Sequence, residues 1–462
     1  IEFAPRDAIV QPYNRPELYR LFQKLEFVKL IDKYGLRGAD LEVTEVAASV
    51  SKAEKLPHVD AMPDAVEACA VYLAEDGSLG LAWETGVMTL TPMEVQMGGI
   101  DLAEKTLVLH DSKTTMHRLK EMGIALGKCS FDTALAAYDL NPSQSDYPVS
   151  KLAINHLGIN VDDNDANACA QALWNLYPVL DGELKKQGME SLYYEIELPL
   201  CTVLAEMEQE GFLIDRRALV AFGEMLTERI DKAQTAIYEL AGEQFNINST
   251  QQLGNILFDK LNLPPVKKTK TGYSTNAEVL EKLRGQHDII DEILEYRQLT
   301  KLKSTYVDGL GKVIMPDGRI HTSFQNTVTA TGRLSSVEPN LQNIPVRTEL
   351  GAQLRKMFVA PVGKVLVDAD YSQIELRLLA CMAGDKAMID AFNSGEDIHT
   401  ITASQVFGVP QSEVTPLMRR SAKAVNFGIV YGISAFAASE AFAESFGGRN
   451  IEGRSLVIVE RT

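Results

Sequence analysis

The stretch Thr415–Gly432, TPLMRRSAKAVNFGIVYG, constrains this chain more than any other. Thr415 suits a helix N-cap, Pro416 the first turn and Gly432 the end, so the segment predicts a single helix. Along it Arg419, Lys423, Phe427 and Tyr431 recur every four residues. Successive members then drift by only about 40° around a 3.6-residue turn and form one slowly winding stripe. The stripe is two cations followed by two aromatics. Cations suit the oxygens of a polyphosphate, and an aromatic ring a turn or two further on can stack on a base. The same pattern also fits a solvated basic turn followed by core aromatics, so the preceding segments have to decide.

At 462 residues the chain is long enough for two or three domains, and its composition is that of an ordinary globular protein. No uninterrupted apolar run reaches the roughly 18 residues of a membrane span, and no signal-peptide pattern opens the chain. A cytoplasmic protein is expected. The cysteines, Cys69, Cys129, Cys169, Cys201 and Cys381, include no C-x-x-C pair, so buried thiols are expected rather than a zinc site or disulfides. Net charge is −18, which taken whole disfavours a nucleic-acid partner. Most of the excess acid, however, lies in residues 1–200. The chain opens at Ile1 in sequence that reads as mid-protein, so part of a longer protein is expected.

Residues 1–37 place Leu18, Leu21, Phe22, Leu25 and Val28 at helical spacing, and the polar stretch 38–61 reads as linker. Residues 62–195 read as a mixed domain. There ACAVYLAEDGSLGLAWE predicts two strands about a turn at Asp76-Gly77, TLVLH predicts a buried strand, and segments near 112–120, 131–140 and 165–177 predict helices. Alternating strands and helices favour an α/β sheet. From Ile196 to Ala241 long helices dominate, with a turn at Gly211. A basic loop, Lys267-Lys268-Thr269-Lys270-Thr271-Gly272, precedes a long helical stretch, Ala277 to Leu310, that puts Arg297 and Lys301 four apart. Such a helical subdomain with a basic tip suits a grip on a phosphate backbone, although basic loops are also common solvated surface.

Two segments carry chemistry. KVLVDADYSQIELR, Lys364–Arg377, reads as an apolar strand delivering Asp368 and Asp370 on one face at its end. Carboxylates there suit Mg²⁺, which takes oxygen donors and uses one or two carboxylates plus substrate phosphates, and they also occur as plain surface charge. TGRLSSVEPNLQNIPVR, Thr331–Arg347, offers Arg, Asn and Gln in an irregular stretch, where they can reach base-edge acceptors in a minor groove or simply bond the loop to itself.

TGRLSS, PNLQNIP, DYSQIELR, EDIHT and RR-x-x-K-x-x-x-F-x-x-x-Y-G follow one another in that order between Thr331 and Gly432. Together they closely resemble the family A DNA polymerases, the bacterial DNA polymerase I group, and the resemblance covers nearly the whole chain. It implies a multidomain α/β and α+β fold: the tail of a 5′-nuclease domain (1–37), a linker (38–61), a ribonuclease H-like 3′–5′ exonuclease-like domain (62–195) and a right-hand polymerase domain (196–462). In the last, thumb, palm and incomplete fingers would span about 196–325, 326–395 and 396–462. The implied activity is addition of deoxynucleotides to a primer 3′-hydroxyl on a DNA template with two Mg²⁺ ions, by a monomer in the bacterial cytoplasm, at the nucleoid. Asp370 and the Tyr371 carbonyl would hold metal. Glu375 would disfavour a 2′-hydroxyl, which argues against an RNA polymerase of the same architecture. Gln373, His399, Arg419 and Lys423 would meet the incoming nucleotide, with Lys423 counted beside Asp370 as catalytic. Phe427 would lie against its sugar and base, and Tyr431 at the template base. Arg333, Asn340 and Gln342 would follow the primer terminus, while Arg297 and Lys301 would hold duplex phosphates.

The chain departs from the family pattern twice. The proofreading fold carries a D-x-E strand, a later Asp and a Y-x-x-x-D helix. Here Asp40-Leu41-Glu42 lies in the polar linker, Thr114 and Thr115 stand where the second acid is expected, and in Tyr177–Asp181 the acid is displaced from the expected place near Ala168. No exonuclease activity is expected. After Ser434 the sequence also leaves the family pattern before the HDE turn that should supply a second metal-binding Asp; His287-Asp288 and His110-Asp111 lie elsewhere. A catalytically incomplete fragment that only binds primer-template DNA or nucleotide is therefore the alternative expectation.

Overall fold

Strand period decides the N-terminal sheet. In β1, Ala68–Leu73, Ala70 joins one buried face while Cys69 and Val71 join the other. The computed structural model describes residues 55–430 apart from 99, 267, 270, 271 and 347, together with residues 15, 18, 21, 22, 33 and 34. β2, Leu79–Trp83, returns antiparallel to β1 after the predicted turn, and β3, Gly86–Leu90, follows antiparallel to β2. β4, Leu102–Leu109, and β5, Leu126–Asp132, add in parallel on the other side of β1, giving the order β3-β2-β1-β4-β5. The predicted strands appear as β1, β2 and β4; β3 and β5 are additional.

A sheet buried on both faces needs cover on both. α1, Ser112–Glu121, closes the Cys69 side with Leu119. α2, Thr133–Leu140, and α3, Ala166–Gln187, close the Ala70 side with Leu135, Leu173 and Leu176. Contact between α3 and β2 is so close that a Cβ on Gly80 would lie 1.8 Å from the Ala166 carbonyl oxygen. α3 continues past Pro178, beyond the predicted end at 177, because the fully buried Leu180 and Leu184 extend its packed face and outweigh the missing backbone donor.

Beyond the sheet, α4, Leu198–Glu210, stops at Gly211, whose φ of 61° and contact with the His321 ring leave no room for a side chain. α5, Arg216–Ala241, is capped by Asp215 and packs along α6, Ile289–Leu302, with Leu226 meeting the Leu299 and Leu302 cluster and Ile237 the Ile290 and Ile293 cluster. The long helical stretch predicted for Ala277–Leu310 is interrupted: Ala277–Lys282 is a short helix of its own, and the His287 ring accepts the Ile289 N–H at 3.1 Å as α6 begins. A hairpin of β6, Ser323–Gln325, and β7, Ser335–Val337, follows.

The chain divides into two compact units, Ile1–Gly363 and Lys364–Thr462. In the second, α7, Ile374–Ala383, α8, Lys386–Ser394, and α9, Ile398–Phe407, share a small core of Leu376, Ala391 and Ile398. α10, Pro416–Val430, is the helix expected over Thr415–Gly432, and Thr415 Oγ1 accepts the Met418 N–H at its start. The expected strand at Lys364–Asp370 is absent. Those residues are irregular, with Val365, Leu366 and Val367 largely exposed. A strand needs a neighbour for its backbone N–H and C=O groups, and among the described residues none pairs with it.

The 38–54 part of the linker, Asp40-Leu41-Glu42, Lys267, Lys270, Thr271, the Phe427 side chain, Tyr431 and the tail after Ser434 lie outside the described residues. No helix among the described residues is long and apolar enough to cross a membrane. Cys69, Cys169 and Cys201 are buried and Cys129 half-buried, as expected of inert thiols, whereas Cys381 is exposed.

One buried acid gives the sheet domain a pH dependence. Asp139 on α2 keeps Oδ2 buried without a hydrogen-bond partner, and burial, then Glu197 and Asp132, push its carboxyl up to about 7. The folded value lies above the unfolded one, so the contribution to stability is full below about pH 4 and lost as pH rises to about 7. Asp139→Asn is expected to raise stability at pH 8 by about 1 kcal/mol, after allowing for solvent screening, and to flatten this slope. Urea unfolding at pH 5 and 8 measures it; an unchanged slope would reject the assignment.

Candidate functional site

In the second unit α9 and α10 build a polar cluster. Asp397 caps α9: its carboxylate accepts the His399 N–H at 3.1 Å and the Thr400 hydroxyl at 2.8 Å. It also receives Arg419 Nε from α10, and although burial works against the charge, these donors hold its carboxyl below the usual range. Arg419 is thus oriented by an acid that the sequence reading left without a role. Lys423 is exposed one turn further along α10. His399 differs from the expected open cation. It is 1% exposed, and its Nδ1 meets Asn426 Nδ2 at 3.1 Å, while Asn426 also donates to Thr402. Burial lowers its pKa, Asp397 opposes, and Arg419 and Lys423 lower it further, so the ring is neutral at pH 7. Asn426 was missed as well; its place three residues after Lys423 on a helix was the available signal.

Asp368, Asp370 and Tyr371 are exposed on the irregular segment before α7. Gln373 enters α7 with φ 53°, a left-handed conformation uncommon for a residue with a side chain, and Glu375 lies half-buried in the first turn. Among the described residues no group of three His, Cys, Asp or Glu is assembled to hold a metal. The donors at Asp370 are oxygens only and open to water. That fits a hydrated Mg²⁺ held by one or two carboxylates with substrate oxygens, and it does not fit a closed protein cage.

In the first unit the residues expected to hold DNA occupy several places. Lys301, on α6, and Asn340 line one cavity of about 480 Å³ with Tyr306 and Asn343. Arg297 instead lines a larger one, about 870 Å³, beside Asn248, Tyr273 and Asn276. Its guanidinium is half-buried and hydrogen-bonded to the Thr275 carbonyl and hydroxyl, so it is fixed rather than free to sweep the surface. Arg333, Asn340 and Gln342 are exposed on and just after the β6–β7 hairpin. Gln342 Nε2 donates to the Leu334 carbonyl at 2.9 Å, and Asn340 Oδ1 accepts the Gln342 N–H at 3.0 Å, which ties the three into one loop system.

Comparison with known proteins bears on the family of the chain. The family model described as DNA polymerase family A matches residues 216–445. A solved structure of the POL domain of Pol1 from M. smegmatis, in complex with DNA primer-template and dNTP, is 37% identical with a TM-score of 0.70, over 82% of this chain and 72% of that one. The chain belongs to DNA polymerase family A. DNA polymerase I of Geobacillus stearothermophilus is 42% identical over 94% of this chain and 53% of its own length. That of Bacillus subtilis (strain 168) is 40% identical over 93% and 53%. The chain spans about half the length of these curated relatives. Within this family A chain, the polar cluster on α9 and α10, Asp370 and the hairpin residues all lie within residues 216–445, which the family model matches.

Proposed function

We propose that the chain performs template-directed DNA synthesis, adding deoxynucleotides to a primer 3′-hydroxyl. The observation that carries this reading is the α9–α10 cluster: Arg419 aimed by Asp397, Lys423 beside it, and a neutral His399 held beneath by Asn426. Two cations four residues apart suit a triphosphate, and His399 contributes a fixed imidazole instead of a third charge. The segment Thr331–Gln342 would follow the primer, and Lys301 and Arg297 the duplex phosphates. Glu375 would exclude a 2′-hydroxyl. Mg²⁺, when bound at Asp370 and the Tyr371 carbonyl, supplies charge neutralisation at the transferring phosphate. The chain's own part is to bind, orient and exclude water, which for phosphoryl transfer is most of the work. The domain limits follow the resemblance: nuclease tail, linker, exonuclease-like domain at 62–195 and polymerase domain at 196–462. A cytoplasmic, nucleoid-associated monomer is the setting this implies.

The exonuclease-like part is proposed to be inactive. Asp181 accepts the Tyr194 hydroxyl at 2.8 Å and Lys185 at 2.7 Å, so its carboxylate already has partners. The Thr115 hydroxyl donates to the His110 carbonyl, and α3 lies directly on β2 at Gly80.

A second reading, binding without extension, is favoured by the unpaired segment 364–371 and by the absence, among the described residues, of any group of three His, Cys, Asp or Glu that could hold a metal. One assay separates the readings. The 462-residue chain is incubated with Mg²⁺, deoxynucleotides and a primer-template whose 3′ end is matched or mismatched. Extension establishes the first reading, and retained binding without extension leaves only the second. Neither would sink both, and trimming of the mismatch would overturn the inactive exonuclease.

A further inference from the structure

The sheet domain and helix α4, which follows it, make buried polar contacts with the β6–β7 hairpin. Glu208, on α4, is 7% exposed and carries them. Its Oε1 accepts Lys113 Nζ from α1 at 2.7 Å and the backbone N–H of Phe324 in β6, while Oε2 meets His117 Nε2, also from α1, at 2.6 Å. Lys113 is itself only 5% exposed and reaches Ser323 Oγ at 3.5 Å. The Glu208 carbonyl meets His321 Nδ1 at 2.7 Å, immediately before the hairpin. From α2, the Tyr138 hydroxyl donates to the Thr329 carbonyl at 2.8 Å, and Thr329 Oγ1 in turn donates to the Arg333 carbonyl at 2.7 Å. Inside the hairpin the buried Thr322 and Ser336 hydroxyls, 2.7 Å apart, pass the constraint on, since both bond the Pro339 carbonyl and Ser336 Oγ accepts the Leu341 N–H.

A buried charged network costs desolvation that packed apolar groups would avoid, so its retention at a joint between two parts of the chain calls for a role beyond stability. We propose that the sheet domain, directly through Tyr138 and by way of α4, is a brace for the primer-side hairpin: Glu208 of α4, locked by Lys113 and His117, and Tyr138 act as positioning residues that set the place of Arg333, Asn340 and Gln342. The inference rests on the DNA-synthesis reading for the role of those three residues. The brace itself is independent of it. A domain that has lost its own chemistry would then be kept because it holds the polymerase loop.

Two variants of the full chain test this. Tyr138→Phe removes one hydroxyl and little else; Glu208→Gln keeps an acceptor for Phe324 but loses the charge that holds Lys113. Hydrogen exchange without DNA is expected to quicken about tenfold at the amides of 324–333 in each variant, with α6 unchanged. Binding of a recessed-end primer-template, read by fluorescence anisotropy, is expected to weaken three- to tenfold, about 1 kcal/mol. Combined with Arg333→Ala, each is expected to lose less than the product of the single effects, because an unbraced Arg333 has less to lose. Unchanged exchange in both variants overturns the brace whatever DNA does. Quickened exchange with fully multiplicative losses overturns the positioning role, since a merely structural joint would not couple to Arg333. Failure of the unmodified chain to bind the duplex would instead reject the DNA-synthesis reading, and the positioning role with it. Should Glu208→Gln not fold, Tyr138→Phe carries both arms alone.

Discussion

Asp132→Ala is expected to destabilise the sheet domain by about 4 kcal/mol. Asp132 ends β5, is 2% exposed, and gathers four backbone N–H groups: Asp111 at 3.2 Å, Ser112 at 2.6 Å, Ala134 at 2.9 Å and Leu135 at 3.2 Å. The carboxylate therefore caps α2 and holds the start of α1 at once. Burial pushes its carboxyl upward, and the Ser112 N–H pulls the other way. Alanine leaves all four donors without a partner. A cap alone is worth about 1 kcal/mol, and each further buried donor left unpaired costs about 1–3 kcal/mol, reduced where fraying admits water. Both tryptophans of the chain, Trp83 and Trp174, lie in this domain, so intrinsic fluorescence during urea unfolding reports it selectively. Asp132→Asn keeps one acceptor oxygen and should fall between the two. A loss below about 1 kcal/mol for the alanine variant would mean that solvent already serves these amides.

Much of this organisation was legible in the sequence because it rests on local periodicity. Cys69, Ala70 and Val71 alternate, the Asp76-Gly77 turn is explicit, and Thr415 followed by Pro416 starts α10 where expected. What escaped was tertiary. Lys364–Asp370 has the composition of a strand, yet composition supplies no partner for its hydrogen bonds, and the segment stays irregular. Arg297 and Lys301 share a helix face by spacing, but Thr275 claims Arg297 and the two line different cavities. His399 reads as an available cation in EDIHT, while the fold buries it against Asn426, a contact spanning 27 residues that no local pattern encodes. Asp397 and Glu208 were missed for the same reason: one carboxylate looks like another until the cation it holds is known.

Lys423→Ala is expected to weaken binding of a deoxynucleoside triphosphate about 30-fold, near 2 kcal/mol, the loss of a charge-assisted contact to phosphate. Arg419 and Lys423 do not contribute alike. Arg419 is paired with Asp397, so much of its charge is already compensated and its value lies in a fixed guanidinium. Arg419→Ala should therefore cost at least as much, because it also leaves the Asp397 carboxylate without its cation beside the phosphates. Burial lowers the pKa of His399, Asp397 opposes and these same cations lower it further, so affinity should rise less between pH 7 and 6 than it would for a titrating surface histidine. Equilibrium dialysis with a labelled triphosphate measures all three, with exposed Lys312→Ala, in the first unit, as a control for net charge alone. If Lys423→Ala binds within twofold of the unmodified chain, the α10 stripe is a solvated basic face and the nucleotide must be held elsewhere.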